Sequence, residues 1–217
     1  MGRFLLIRHA ESVWNAAGRM QGWADPPLSE QGREAARRLG RTLRASGAGG
    51  VSAAVSSDLI RARQTAAAVL EGVRDEGGFD VAHRVRLDAR LRERDVGWVT
   101  GLDEATAFAR YPQEMADWRA RRAERPPGGE PESSVLLRAG RALDDLAREG
   151  AREGEEGERD GGGHDLTLIV SHGGVISILE RAAGLGAGGF ANLHGCWVVV
   201  EGPGRWRLGE RFAPDPG

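Results

Sequence analysis

Two histidines and at least two arginines stand just beyond short apolar runs. Arg8-His9 follows Phe4-Leu5-Leu6-Ile7, and Ser171-His172-Gly173-Gly174 follows Leu166 to Val170. Val51 to Val55 is closed by Ser56-Ser57-Asp58, with Arg61 just beyond, and a candidate strand at 82–87 leads to Leu91-Arg92-Glu93-Arg94-Asp95. Guanidiniums, imidazoles and a carboxylate together suit a phosphoryl group. Two guanidiniums can hold phosphate oxygens bidentately, and an arginine in the first turn of a helix acts alongside backbone N–H groups that attract an anion. A neutral imidazole is a competent nucleophile at phosphorus, and nearby cations disfavour its protonated form. A neighbouring carboxyl group can protonate the leaving oxygen. With arginines supplying the charge, this set demands no Mg²⁺, and no Cys cluster or closely spaced His pair suggests structural zinc.

Three apolar runs that end abruptly read as strands buried on both faces of a parallel sheet. Helical patterns separate them. Ser29 is a candidate N-cap for a helix carrying Ala36, Leu39 and Leu43 on one face. Asp58 is a candidate cap for a second, and Val175 to Leu185 reads as a third, stopped by Gly186. Strands alternating with helices predict an α/β fold, a mostly parallel sheet sandwiched by helices. In such sheets ligands sit at the carboxyl ends of the strands, where the histidines and arginines fall.

The 217 residues predict a single domain, 1–217, with two departures from the rhythm. Residues 104–130 read as a small helical lid ending in Pro126-Pro127-Gly128-Gly129. Residues 149–163 hold six Gly, six acidic residues, two Arg and one Ala, a composition that buries no apolar surface and predicts a disordered loop. The thirty basic residues are all Arg, against thirty-two acidic ones. Lysine chemistry is therefore absent, and no basic tract suits nucleic acid. One cysteine, Cys196, excludes an internal disulfide. With no signal-peptide core and no run near the roughly 20 apolar residues a spanning helix needs, the expectation is a cytoplasmic protein without membrane or nucleic-acid partners. The oligomeric state stays open, a homodimer included.

Arg8-His9-Ala10-Glu11-Ser12-Val13-Trp14-Asn15 resembles the opening motif of the histidine phosphatase superfamily, the phosphoglycerate-mutase-like enzymes. The likeness continues in order through Gly18-Arg19-Met20-Gln21-Gly22, Pro27-Leu28-Ser29-Glu30-Gln31-Gly32 and Ser56-Ser57-Asp58-Leu59-Ile60-Arg61-Ala62. Leu91-Arg92-Glu93 with Gly97-Trp98 and Gly101, then Ser171-His172-Gly173-Gly174, complete it. The resemblance implies His9 as the phosphorylated nucleophile, Glu93 as proton donor and later base, and His172 as a further catalytic residue. It implies a phosphate clamp of Arg8, Arg61 and His172 with Asn15 as a further contact. Gln21, Gly22 and Gly173 match substrate-binding positions, and neither metal nor cofactor is implied. Two positions depart from the pattern: Ala10 stands where Gly is usual, and Gly129-Glu130-Pro131 replaces the Gly-Glu-Ser of the phosphatase branch.

The implied activity is phosphomonoester hydrolysis through a phosphohistidine, acting on a small phosphorylated metabolite. A phosphoglycerate mutase using the same site is the alternative, and a non-catalytic phosphate- or phosphoprotein-binding module is a second. Glu93 and His172 are 79 positions apart, whereas classical mutases of the family place a longer ordered insertion there. His83, His164 and His194 are expected outside the chemistry. Arg119, Arg121, Arg122 and Arg125 read as a solvated helix face, or alternatively as a cluster attracting an anionic substrate.

Overall fold

The computed structural model describes residues 3–45, 51–74, 85–160, 166–186 and 188–214. Strands β1 (Arg3–Arg8), β2 (Val51–Ser56), β3 (Val85–Leu87), β4 (Leu166–Ser171), β5 (Gly195–Gly202) and β6 (Arg205–Phe212) form one sheet in the order β3-β2-β4-β1-β5-β6. The pairs β3–β2, β2–β4 and β4–β1 are parallel; β1–β5 and β5–β6 are antiparallel. The expected α/β architecture with a mostly parallel sheet is therefore present.

Period-two alternation along β1 assigns its residues to opposite faces. Leu5 and Ile7 join a core with Ala36, Leu39 and Leu43 of α2 (Glu30–Ala45) and Ala62, Ala66 and Val69 of α3 (Ile60–Arg74). Phe4 and Leu6 join the opposite core. There they meet Val135, Ala139 and Leu143 of α6 (Glu132–Asp160) and Val175, Ile176 and Leu179 of α7 (Gly173–Ala182). Helices α2 and α3 approach so closely that a Cβ on Gly40 would collide with the Val69 carbonyl.

Register explains why distant residues meet. Arg8 pairs with Ser171 across β1 and β4, and Ser56 pairs with Val170 across β2 and β4. His9, Ser57 and His172, each one residue further on, therefore emerge side by side at one edge.

Short helices α1 (Val13–Ala16), α4 (Glu104–Arg110) and α5 (Pro112–Arg119) complete the elements. Asp103 caps α4 by accepting from the Thr106 N–H, and Pro112 opens α5, where a missing N–H costs nothing. Met115, Ala107, Val96 and Val99 bury one another beneath this 104–119 segment.

Several expectations need correction. Residues 149–160 are not a loop but the last turns of α6, which runs to Asp160, while 161–163 lie outside the described residues. Composition misled because it tests whether a segment can bury surface. A helix already nucleated on the core adds one hydrogen bond per residue fixed, and Glu, Arg and Ala propagate it well. Asp58 does not cap α3; it pairs with Arg92, while Asp25 accepts from the Ile60 N–H. Helix α7 stops at Ala182, short of Leu185. Strand β6 had no sequence expectation, since Arg205-Trp206-Arg207-Leu208-Gly209-Glu210-Arg211-Phe212 buries only Leu208. His83 and His164 lie outside the described residues. Among those described, no helix is long and apolar enough to cross a membrane.

Candidate active site

His9 is buried where β1 ends. Its backbone N–H donates to Ser171 O at 2.9 Å, prolonging the β1–β4 pairing. Nδ1 lies 2.6 Å from the Ala10 carbonyl. A carbonyl only accepts, so Nδ1 carries the proton of the neutral ring and the Nε2 lone pair is left available. The Ala10 N–H donates to Thr65 Oγ1, which donates to Arg61 O, tying this turn to α3. Arg121 and Leu193 are the non-glycine residues at positive φ among those described. Ala10 is not one of them, so the backbone freedom of glycine is not required there.

His172 packs against His9, with ring centroids 5.1 Å apart, and its Nε2 lies 2.9 Å from Ser57 Oγ. Arg61 is 1 % exposed, with its terminal nitrogens donating to Ala24 O and Gly22 O. Gly22 reaches that position with φ +48°, and a Cβ there would crowd Val96. Arg8 donates to Phe190 O at 2.6 Å. Among the described residues, Arg61 Nε and His172 Nδ1 are buried without a hydrogen-bond partner, a cost an anion would offset.

Glu93 faces the same cavity, its carboxylate oriented by backbone. Oε1 accepts from Arg94 N at 2.8 Å and Oε2 from Gly174 N at 3.3 Å. A side chain at Gly174 would meet Glu93 Oε1 and push the carboxylate out of this position. Asn15 occupies a capping box with Ser12, and Gln21 Oε1 accepts from Ser12 Oγ at 2.8 Å. The cavity, about 870 Å³, is lined by Arg8, His9, Asn15, Gln21, Gly22, Arg61 and Glu93 among others. His172, beside His9, and Gly173, against the Arg8 stem, do not line it. Among the described residues, eight arginines and three glutamates line it, including Arg119, Arg121 and Arg122 of the expected cluster but not Arg125. Those three are exposed, but only Arg119 lies on a helix, α5; Arg121 and Arg122 follow its end. No group of three or more His, Cys, Asp or Glu among the described residues could hold a metal ion.

The family model of the histidine phosphatase superfamily (branch 1) matches residues 4–206. The chain belongs to this superfamily. Among its relatives, a 2,3-bisphosphoglycerate-dependent phosphoglycerate mutase of Azorhizobium caulinodans is 35 % identical over 187 residues, 83 % of each chain. A similar solved structure is a mycobacterial glucosyl-3-phosphoglycerate phosphatase complexed with VO3. It is 30 % identical with a TM-score of 0.71, over 96 % of this chain and 97 % of that one. A second, described as mycobacterial hydrolase 1, is 31 % identical with a TM-score of 0.72 over the same shares.

In this superfamily member, burial, then Arg61 and Arg8, push the His9 imidazolium well below its usual range. His172 is pushed the same way by burial, then by Arg61, His9, Arg138 and Arg8. Burial also lowers Arg8, and brings Arg61 down to about 10, with Glu93 opposing both shifts. The guanidiniums thus stay charged at neutral pH while both rings stay neutral. Unfolded, the rings titrate near pH 6.5. Below that the unfolded chain binds more protons, so stability present above about pH 6.5 is lost as the pH falls, by about 1.4 kcal/mol per pH unit for each ring. Thermal unfolding from about pH 7 to about pH 5 should show the decline, and His172→Gln should flatten it. An unchanged slope in that variant would contradict the neutral, buried assignment.

Supporting residues escaped sequence reasoning. Trp23 Nε1 donates to Glu93 O, Asn192 Nδ2 to His9 O, and Glu132 bridges Arg94 and Arg181. Ser57 had a signal, standing next to Asp58 in a quoted motif; Trp23, Asn192 and Glu132 had none.

Proposed function

We propose that this protein hydrolyses phosphomonoesters of a small metabolite through a phosphohistidine at His9, without a metal ion. The observation that carries this reading is the fixed tautomer of His9. Its Nδ1 proton is held by Ala10 O, and its free nitrogen lies among Arg8, Arg61 and His172.

Phosphate oxygens would take the unpaired Arg61 Nε and His172 Nδ1 donors together with the Arg8 fork. His9 Nε2 would attack phosphorus, forming the N–P bond as the ester P–O bond breaks. Protonated Glu93 would give its proton to the leaving oxygen. The resulting carboxylate would then accept a proton from water as that water attacks phosphorus and the N–P bond breaks. Asn15, Gln21 and Gly22 would hold the phosphate and the adjoining part of the substrate.

The mycobacterial phosphatase supports hydrolysis over isomerisation, because it is similar along almost all of both chains. Phosphoglycerate mutation at the same site is the second reading, favoured by the identity to mutase relatives. A purely phosphate-binding role fits less well with a nucleophile, two clamp arginines and a proton donor all lining one cavity. Turnover of p-nitrophenyl phosphate should be robust, while isomerisation of 3-phosphoglycerate with added 2,3-bisphosphoglycerate should be slow. The opposite ratio would favour the mutase, and neither activity the binding module.

Metal independence has its own test. Since Arg8 and Arg61 supply the positive charge, activity should survive EDTA. Loss on chelation, restored by a divalent ion, would sink the metal-free mechanism.

A further inference from the structure

Arg138, on α6, spends all five of its N–H donors on one loop and its brace. NH1 donates to Arg90 O at 2.7 Å and Arg92 O at 2.6 Å, and NH2 to Glu93 O at 3.0 Å. Its remaining donors form a fork on Glu130, from Nε to Oε1 and NH2 to Oε2, both at 2.8 Å. Glu130 also accepts from the Asp95 N–H at 3.4 Å, so the pair grips the loop at both ends. Both side chains are mostly buried, at 17 % and 14 % exposed.

The loop needs such a grip. Beyond a single 3₁₀ turn at Ala89–Leu91, residues 92–96 have no regular structure to fix them. Carbonyls 90, 92 and 93 all turn toward Arg138, an arrangement that repels itself unless a donor with several N–H groups fills it. Guanidinium presents five donors in a rigid plane; an ammonium offers three from one point and cannot span three carbonyls and a carboxylate.

We propose that Arg138, braced by Glu130, is a positioning residue that aims the Glu93 carboxyl at the leaving oxygen. It acts through the backbone and does not touch substrate. The idea rests on the proton-donor role assigned to Glu93 above. Misplacing a reacting group by about 1 Å can cost about 10²-fold in rate.

The test is Arg138→Lys, which keeps the charge and removes the fork, compared with Glu93→Gln and with the double variant. Turnover of glycerol 2-phosphate should fall by about 10²-fold in Arg138→Lys. The pre-steady-state burst of p-nitrophenol, which reports phosphorylation of His9 with a leaving group that needs no proton, should barely change in rate. Inhibition by vanadate should be unaltered, because the clamp is intact. The double variant should be no slower than Glu93→Gln alone. A p-nitrophenol burst slowed as much as glycerol 2-phosphate turnover, or losses that multiply in the double variant, would overturn the proposal. If Glu93→Gln itself shows no leaving-group dependence, the proton-donor reading falls first and this one with it. If Glu93→Gln shows that dependence and Arg138→Lys does not, the positioning role alone is wrong. Should Arg138→Lys fail to fold, Glu130→Gln removes the charge of the brace and should show the same selective loss at smaller size; its absence there is equally decisive.

Discussion

His9→Ala should abolish phosphate-ester hydrolysis while leaving phosphate binding in place. The chain has no lysine, and its one cysteine cannot substitute. Cys196 is buried in β5, where desolvation, with Glu180 adding to it, pushes the thiol up to about 12. His172 is the nearest ring, yet its Nε2 is engaged with Ser57 and it does not line the cavity. Arg8, Arg61 and His172 remain, so vanadate should still raise the melting temperature of the variant, as any ligand selective for the folded state does. Turnover should drop to the uncatalysed background, and no acid-labile ³²P should enter the protein. A residual labelled species would move the nucleophile to His172.

Glu93→Gln should produce a different deficit, one that depends on the leaving group. General acid catalysis is worth about 10²–10⁴-fold. An alkyl phosphate, whose alkoxide requires a proton, should suffer that full loss. p-Nitrophenyl phosphate should lose little in the first step. Hydrolysis of the phosphohistidine then becomes slow for want of a base, and acid-labile, base-stable ³²P-protein should accumulate. Equal loss on both substrates without a trapped intermediate would assign the proton to another carboxylate. Geometry disfavours the neighbours: Glu11 Oε1 accepts from Ser29 Oγ at 2.6 Å, and Asp95 Oδ1 accepts from the Gly97 N–H at 2.8 Å. Both are committed to holding chain turns.

The difference between what could and could not be read in the sequence follows from the range of each interaction. Strands β1, β2 and β4 were legible because burial on both faces demands continuous apolar runs, and each run ends at a polar residue facing the ligand edge. His9 and His172 were legible for the same reason, being set by strand ends, and Arg61 follows in the first turn of α3. Strand β6 was not, because an edge strand meets the core on one face only and its arginines conceal the alternation. The far end of α6 was misread because composition tests burial, whereas a helix packed on the core at Val135, Ala139 and Leu143 extends through backbone bonds. Arg138 carried no local signal. Its partners at 90, 92 and 93 are carbonyls, which every residue owns, so no choice of side chain advertises the contact.

Two buried nitrogens without a protein partner also bear on how the cycle ends. Arg61 Nε and His172 Nδ1 are buried without protein partners, and each such group costs about 1–3 kcal/mol until an acceptor arrives. Inorganic phosphate, the last species to leave, answers them as well as the substrate does, since the alcohol it arrived with never touched them. Under the proposed cycle, departure of phosphate therefore sets the ceiling on turnover once the leaving group is good. Free phosphate would then compete with every substrate for these two groups.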